Sequence, residues 1–343
     1  YKNIEAGGQP GEAAGVLLMN RFPVKGLTTT HPIGAPITDS AAAATALACG
    51  EKTKNGRLSI DANGQTKFKS IAYTAKEAGM KVGIVSSVPI DHATPAAFYA
   101  CENSRGNYYE IAAQAASSGF NYFAGQYFLG GKPDKCKGRP SPIEIARQAG
   151  YTTYCDREGL EKITPGDDKI VWEAEIPFVV QQDADHVTLA DLTRKGIEVL
   201  DNDRGFFMMV EGGKIDWAGH ANDLASNIKE TLDFDAAIRI VYDFYQAHPE
   251  ETLIVVTGDH ECGGMKTAFR GGFSRDRFMA AVKAQKVSGK EFATQVETWK
   301  KQGTLKENVL KHIAEDFGIT DLSPAERDDL EKVIAFAQKD DSV

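Results

Sequence analysis

Short apolar runs rich in β-branched residues alternate with amphipathic helical patterns along most of the chain, and this alternation limits the possible folds more than any other feature. The three clearest helix-then-strand pairs, in chain order, are 68–78 with 82–88, 189–200 with 206–210, and 222–248 with 252–257. Such runs are typical of βα units, whose strands are buried side by side. The alternation therefore predicts an α/β fold with a largely parallel central sheet flanked by helices on both faces.

The residue pattern of the sequence changes after about residue 272. Residues 275–340 are charged and helix-forming, and they are almost without strand patterns. Helices of this kind, placed after a sheet, are typical of an inserted subdomain or of a cap over a site. We therefore predict an α/β core over residues 1–272 and a helical C-terminal insertion or cap over residues 273–343.

The charge of the chain limits its partners. It carries 48 acidic and 39 basic residues, for a formal net charge of −9. Such a chain does not hold a nucleic-acid backbone by bulk attraction, so an anionic substrate must be bound by local cations. No apolar run approaches the roughly 18 residues that a membrane span requires, and the first residues carry no signal-peptide pattern. We expect no nucleic-acid binding by charge and no membrane span.

The cysteines are few and widely spaced. They are Cys49, Cys101, Cys136, Cys155 and Cys262, and they show neither CxxC nor zinc-finger spacing. A metal site built from cysteines is therefore not expected. Cys136 and Cys155 share a loop-rich stretch and are compatible with a disulfide in an oxidising compartment or with two separate thiols.

Ligands of open parallel sheets bind at the carboxyl ends of the strands, and four groups of polar residues are predicted there. The first group places Ser40 directly before an alanine-rich helical pattern. The unpaired N–H groups and the dipole of a helix N-terminus favour an anion such as phosphate. Ser40 is therefore a candidate phosphate-site residue, and an ordinary N-cap is the alternative.

The second group follows the strand pattern 82–88 and contains His92, Thr94 and, further on, Arg105. A hydroxyl oxygen such as that of Thr94 suits Mg²⁺, and a guanidinium binds two phosphate oxygens at once. The alternative is structural, with Thr94 at the start of a helix and Arg105 as a surface charge.

The third and fourth groups combine carboxylates with histidines. Glu211 stands at the end of the strand pattern 206–210, and Asp216 and His220 follow it four residues apart. On a helix that spacing puts both side chains on one face, where both can bind one zinc ion. Asp259 and His260 follow the predicted strand 252–257. Because buried charged groups need partners, metal binding is favoured there over a structural ion pair.

Four strings together resemble the alkaline phosphatase family: TDSAAAATALACGEKT, DHATPAAFYACENSRG, VEGGKIDWAGHAND and VTGDHECGG. They extend from about residue 25 to about residue 265. The resemblance implies that Ser40 is the nucleophile and that Arg105 binds the substrate phosphate. It also implies a magnesium site with Thr94 and Glu211 as ligands. One zinc site would have the ligands Asp216 and His220, and a second zinc site would have Asp259 and His260.

Two positions and two segments differ from the common family pattern. His92 and Trp217 stand where family members vary, and the resemblance implies that they adjust the magnesium site and the outer phosphate contacts. The family's aspartate-bearing first strand and its late histidine-bearing segment have no counterpart in this sequence. His312 lies in a helical pattern without the context of that late histidine. We therefore expect the 343 residues to lack both of these segments of the family's catalytic domain.

The activity that the resemblance implies is hydrolysis of small phosphate monoesters through a phosphoserine intermediate, with two zinc ions and one magnesium ion. A homodimer and a periplasmic or secreted location are further expectations from the resemblance. The alternatives are a phosphodiesterase or phosphoglycerate mutase of the same superfamily, and a fragment that binds metal or phosphate without turnover.

Overall fold

Five parallel strands form the central sheet of the protein. The computed structural model describes residues 16–265 and 275–339, with the backbone alone for residues 275–278 and 339. The strands are β1 (Lys81–Pro89), β2 (Tyr122–Gln126), β3 (Thr152–Tyr154), β4 (Ile170–Ala174) and β5 (Phe206–Glu211). Their order across the sheet is β3-β4-β2-β1-β5, and every neighbouring pair is parallel. The predicted α/β fold with a parallel sheet is confirmed.

Two of the three strands singled out from the sequence are present, and the third is not. The patterns 82–88 and 206–210 lie within β1 and β5. Residues 252–257 form no strand, and Leu253 and Val255 are 87% and 75% exposed. A parallel strand is stabilised by hydrogen bonds to a neighbouring strand. No strand of the described sheet pairs with this segment, so its β-branched composition alone does not make it a strand.

The described residues form fourteen α-helices. In chain order they are α1 (Ser40–Cys49), α2 (Ile71–Glu77), α3 (Ala93–Tyr99), α4 (Tyr108–Ser118), α5 (Pro133–Cys136), α6 (Pro142–Gln148), α7 (Arg157–Lys162), α8 (Leu189–Leu200), α9 (Lys214–His220), α10 (Leu224–Ala247), α11 (Arg275–Ala284), α12 (Gly289–Gln302), α13 (Leu305–Phe317) and α14 (Pro324–Lys339). None of the helices in these ranges is long and apolar enough to cross a membrane.

Helices cover both faces of the sheet, as the alternation of side chains along the strands requires. Ile84 and Phe123 belong to one buried cluster, which includes alanines of α1, α3 and α4. Val85 and Tyr122, their neighbours in sequence, belong to a second cluster, which includes the buried residues of α8. The predicted arrangement, with helices on both sides of the strands, is therefore confirmed.

The packing of α8 on the sheet depends on two glycines. A Cβ atom on Gly83 of β1 would lie 2.5 Å from Cδ1 of Leu200, and one on Gly196 of α8 would lie 2.9 Å from Sδ of Met208. Both distances are shorter than real Cβ contacts, so a larger residue at either position would force the side chain of Leu200 or of Met208 to move.

Contacts divide the chain into two units. The first, called the sheet unit, holds the described residues up to 176 together with 185–213 and 231–261. The second, called the helical unit, holds 177–184, 214–230 and the described residues from 262 onward. The helical unit contains α11 to α14, which confirms the predicted helical C-terminal region, and it has a small core around Leu305, Val309 and Ile334. The predicted boundary between residues 272 and 273 lies outside the described residues and stays a prediction.

Candidate active site

Ser40 is the first residue of α1, in the sheet unit. The helix begins here because Asp39 caps it: its side-chain Oδ1 accepts the N–H of Ala42 at 3.0 Å. Ser40 is only 8% exposed, and the alanines that follow it are buried. The first N–H groups of a helix have no partner within the helix and attract an anion. Ser40 therefore presents its hydroxyl at an end of α1 that favours phosphate.

His260 lies against the hydroxyl of Ser40, also within the sheet unit. Its Nε2 is 3.3 Å from Ser40 Oγ and 3.3 Å from Oδ2 of Asp259. Its Nδ1 is 3.0 Å from the carbonyl oxygen of Glu261, which can only accept, so Nδ1 carries a proton in this contact. In the neutral ring Nε2 then has a lone pair that can accept a hydrogen bond or bind a metal ion.

Arg105 is held beside the start of α1. Its Nη1 donates to Oδ2 of Asp39 at 3.2 Å, and its Nη2 lies 3.3 Å from Nε2 of His92. The same Asp39 oxygen accepts the N–H of Gly56 at 2.9 Å. Asp39 thus caps α1 and fixes the guanidinium next to it, which brings a positive charge to the residue before Ser40.

Thr94 and Glu211, the predicted magnesium ligands, both lie in the sheet unit. Thr94 is buried in the first turn of α3. Glu211 ends β5, where its Oε2 accepts from Ser86 Oγ of the neighbouring β1 at 2.5 Å. Both positions offer the hard oxygen atoms that Mg²⁺ prefers.

A buried carboxyl group fixes the start of α3. Asp91 is fully buried, and its two oxygens accept the N–H groups of Leu129 at 2.9 Å and Gly130 at 2.7 Å. Burial raises the pKa of Asp91 to about 7, although these two bonds act in the opposite direction. The segment that carries His92 and Thr94 is therefore tied to the loop after β2.

Asp216 and His220 are one turn apart on α9, in the helical unit, as their spacing predicts. Nε2 of His220 is 3.5 Å from Oδ1 of Asp216. That Oδ1 is buried and has no hydrogen-bond partner among the described residues. Cys262 completes a group in which the carboxylate, imidazole and sulfur ligand atoms all lie within 4.8 Å of one another. An orphaned carboxylate oxygen beside a histidine and a cysteine fits a divalent cation such as zinc.

Trp217, on the same helix, carries two ammonium groups over its ring. Nζ of Lys290 lies 3.9 Å from the ring centroid and Nζ of Lys214 lies 5.1 Å from it. Both lysines belong to the helical unit, and Lys214 is almost completely buried. Cation–π contacts of this kind hold positive charge in place around the indole.

Sequence reasoning misses three of these residues. The capping role of Asp39 is visible in the TDSA string, but its bond to Arg105 is not. Lys290 lies far from Trp217 in the sequence, and no local sequence pattern predicts their contact. Spacing between cysteines does not single out Cys262, because no other cysteine lies near it in the sequence. Its position two residues after His260 is the only local signal.

The sheet defines an α/β protein, and the groups described above are a helix N-terminus of the kind that attracts anions and aspartate–histidine pairs of the kind that bind metal ions. The chain belongs to the alkaline phosphatase family, because the family model described as alkaline phosphatase matches residues 2–132 and 136–321.

Known relatives agree with this assignment. Alkaline phosphatase 3 of Bacillus subtilis is 35% identical over 250 residues, which are 70% of this chain and 53% of that protein. The chain spans about half the length of this relative and of alkaline phosphatase 4 of the same organism. The crystal structure of a cold-active alkaline phosphatase from a psychrophilic Shewanella species superposes with a TM-score of 0.77 at 31% identity, covering 96% of this chain and 79% of that one.

A further solved structure carries a metal ion. It is a histidine-to-glutamate mutant of the alkaline phosphatase from the Antarctic bacterium TAB5, with magnesium bound in its M3 site. It is 33% identical to this chain, with a TM-score of 0.62, and the match covers 70% of this chain and 68% of that one.

Proposed function

We propose that the chain hydrolyses phosphate monoesters through a phosphoserine formed on Ser40, with two zinc ions and one magnesium ion bound. The observation that carries the proposal is the 3.3 Å contact between Ser40 Oγ and His260 Nε2 at the capped start of α1. A serine hydroxyl is a weak nucleophile unless a neighbouring group activates it. Family membership supports the same reaction class.

The proposed metal ligands fall into three pairs. Asp216 with His220 and Asp259 with His260 would each hold one zinc ion, and Thr94 with Glu211 would hold magnesium. When bound, the zinc ions would lower the pKa of a coordinated hydroxyl or water and stabilise negative charge. The Nε2 lone pair of His260 that faces Ser40 Oγ is also the one that would bind zinc. The contact thus supports a role for Ser40 next to the proposed zinc ligand His260.

The proposed reaction proceeds in two displacements. In the first, Ser40 Oγ loses its proton and forms a bond to phosphorus as the ester P–O bond breaks, and the leaving alkoxide takes up a proton. In the second, water loses a proton and attacks the phosphoserine, the Oγ–P bond breaks, Ser40 Oγ regains a proton, and inorganic phosphate is released. Arg105 would bind two phosphate oxygens throughout, and the first N–H groups of α1 would stabilise the negative charge that both transition states carry.

His92 and Trp217 would influence phosphate binding indirectly, through the cationic side chains that they contact. His92 contacts Nη2 of Arg105, so it orients the guanidinium that binds the substrate. Trp217 carries the ammonium groups of Lys290 and Lys214, which supports a role in holding anions. We therefore propose an outer-contact role for each.

The test is hydrolysis of an aryl phosphate and of the matching bis-aryl phosphate by the purified chain with zinc and magnesium. Ser40→Ala is the inactive variant, and Ser117→Ala, an exposed serine of α4, is the matched control. We expect monoester turnover that is lost with Ser40→Ala and with a chelator, and kept with Ser117→Ala. Preferred cleavage of the diester would indicate the related phosphodiesterase activity. Metal binding without turnover of either ester would indicate a fragment that only binds.

The same family membership supports two further proposals. One is a homodimer, which light scattering of the purified chain would test. The other is a periplasmic or secreted location of the parent protein, which fractionation of the source cells would test.

A further inference from the structure

We propose that Asn55 is a positioning residue of the reaction, which fixes the segment leading into Ser40 relative to Arg105. The inference rests on the proposed function, and it assigns a role to a residue outside the four strings that carry the family resemblance. All of the residues involved belong to the sheet unit.

Both ends of the Asn55 side-chain amide bond to the residues just before α1. Its Oδ1 accepts the N–H of Asp39 at 3.0 Å, and its Nδ2 donates to the carbonyl oxygen of Ile37 at 3.0 Å. These partners precede Asn55 by 16 and 18 positions in the chain. One planar amide, with an acceptor and a donor, therefore fixes the backbone that leads directly into Ser40.

The next residue, Gly56, is bonded to the groups that hold the guanidinium. Its N–H donates to Oδ2 of Asp39 at 2.9 Å, and its carbonyl oxygen accepts the N–H of Arg105 at 2.7 Å. The same Oδ2 accepts from Nη1 of Arg105 at 3.2 Å. The Asn55–Gly56 pair is thus connected to the start of α1 on one side and to Arg105 on the other.

The turn that presents these groups has a defined conformation. The N–H of Arg57 donates to the carbonyl oxygen of Lys54 at 3.3 Å, and Gly56 has a φ of +81°. The third residue of a type II turn requires such a φ, which favours glycine. Beyond the turn, Leu58 and Glu102 form an antiparallel bridge, and each N–H donates at 2.9 Å. The turn is therefore anchored to the segment that carries the guanidinium.

Turn formation alone explains Gly56 but does not explain the bonds of Asn55. Asparagine is common in turns because of its local backbone preferences. The Asn55 side chain is exposed, so water would satisfy its amide without any protein partner. Both ends of the amide instead bond to residues 37 and 39. The consequence of these bonds is therefore an ordered approach to α1, and with it a fixed position of the Ser40 hydroxyl.

The position of a nucleophile relative to its substrate has a large effect on rate. A displacement of about 1 Å can lower the rate about 10²-fold. Substitutions at exposed positions, by contrast, change the stability of a protein little. Loss of the Asn55 amide should therefore reduce turnover while the chain stays folded and keeps its metal content.

The experiment compares Asn55→Ala with Asn63→Ala in the whole chain with zinc and magnesium. Asn63 is the matched control, because it is also an exposed turn residue that precedes a glycine. We expect kcat/KM for an aryl phosphate to fall at least about 10-fold in Asn55→Ala and to stay unchanged in Asn63→Ala. The urea midpoint and the zinc content should be the same in both variants.

A double substitution separates positioning from a purely structural role. If Asn55 fixes Ser40 relative to the guanidinium, its loss should matter less once the guanidinium is gone. We expect the fall in kcat/KM caused by Asn55→Ala to be at least about 3-fold smaller in the Arg105→Ala background than in the wild type. A purely structural role of Asn55 would give the same fall in both backgrounds.

The outcomes distinguish this inference from the proposed function. Wild-type kcat/KM in Asn55→Ala, or an equal fall in both backgrounds, would overturn the role of Asn55 and leave the proposed function standing. Calorimetry with inorganic phosphate provides the second comparison. A wild-type chain that neither hydrolyses the monoester nor binds inorganic phosphate would overturn the proposed function, and the role of Asn55 with it.

Discussion

Ser40 Oγ and His260 Nε2 lie 3.3 Å apart although 220 positions separate the two residues in the chain. The contact joins a hydroxyl at the start of α1 to an imidazole in the segment that follows α10. The folded chain therefore brings the proposed nucleophile and a proposed metal ligand together from two distant parts of the sequence. This pairing is the basis of the proposed reaction.

Replacing His260 with glutamine should remove the ring nitrogen that faces Ser40. We expect monoester turnover to fall at least about 10²-fold, because even residues behind a metal ligand change activity by 10- to 100-fold. The zinc content of the purified chain should fall as well. Steady-state assays and metal analysis check the two effects. His248→Gln, an exposed histidine after α10, should change neither. Full activity in His260→Gln would show that His260 has no part in the reaction.

Replacing Arg105 with alanine should weaken phosphate binding. The guanidinium donates charge-assisted bonds, each worth about 1.5–3 kcal/mol, so kcat/KM should fall by roughly 10- to 150-fold. Arg105→Lys should recover little of the loss, since an ammonium cannot bind two oxygens in the same plane. Inhibition by inorganic phosphate should weaken in parallel. Arg194→Ala, at an exposed arginine of α8 that pairs with Asp191, is the control. Equal phosphate inhibition in Arg105→Ala and the wild type would refute the role of Arg105.

Replacing Asp223 with alanine should destabilise the helical unit. Its two oxygens accept bonds from the hydroxyl and the N–H of Ser226, from Nε2 of Gln285 and from the N–H of Gly289. Losing a buried acceptor that joins the start of α10 to α12 should lower the free energy of unfolding by about 2–4 kcal/mol. Urea unfolding measures the change.

The control for Asp223 is Asp328→Ala, which removes an exposed ion pair with Lys332 on α14. Exposed pairs contribute about 1 kcal/mol or less. Equal effects of the two substitutions would contradict the linking role of Asp223.

The buried Asp91 should make the protein less stable as pH rises. Its pKa is raised from 3.8 to about 7, mainly by burial. Between these values the folded chain holds a proton that the unfolded chain has released, so a rise in pH favours unfolding. The contribution of the neutral Asp91 carboxyl group to the free energy of unfolding is thus fully present below about pH 4. It is lost as the pH rises through about 7. Glu173, whose pKa burial also raises, adds repulsion to the charged form of Asp91.

Thermal unfolding of the wild type and of Asp91→Asn across this pH range checks the prediction. The stability of the wild type relative to Asp91→Asn should fall between about pH 4 and about pH 7, because asparagine does not titrate. Taking the difference cancels the other titrating groups. Parallel pH profiles for the two proteins would exclude titration of Asp91 in this range.

The elements that the sequence predicts well are those stabilised by local signals. The pattern 189–200 coincides with α8, because its apolar residues repeat with the helical period and Thr188 and Asp191 form a capping box at its start. The prediction of a strand over 252–257 is wrong for the opposite reason. A strand depends on a distant partner, and the local composition does not say whether one is present.

The candidate site likewise contains residues that local spacing predicts and residues that only long-range contacts bring in. Asp216 and His220 can be placed on one face of α9 from their spacing alone, and the structure does so. Cys262 belongs to the same group, although it lies 46 positions after Asp216 in the sequence. Only the folding of the backbone brings the two residues together. The bond between Asp39 and Arg105 likewise joins positions that are 66 apart. Long-range contacts of this kind have no local pattern from which they could be predicted.

The most direct test of the central claim is to trap the covalent intermediate. The chain, with zinc and magnesium bound, is mixed with an aryl phosphate at mildly acidic pH, quenched, digested and analysed by mass spectrometry. We predict one added phosphoryl group on the peptide that contains Ser40, and none in Ser40→Ala or without substrate. Ester hydrolysis by the wild type with no phosphate on Ser40, or with phosphate on a different residue, would contradict the proposed mechanism.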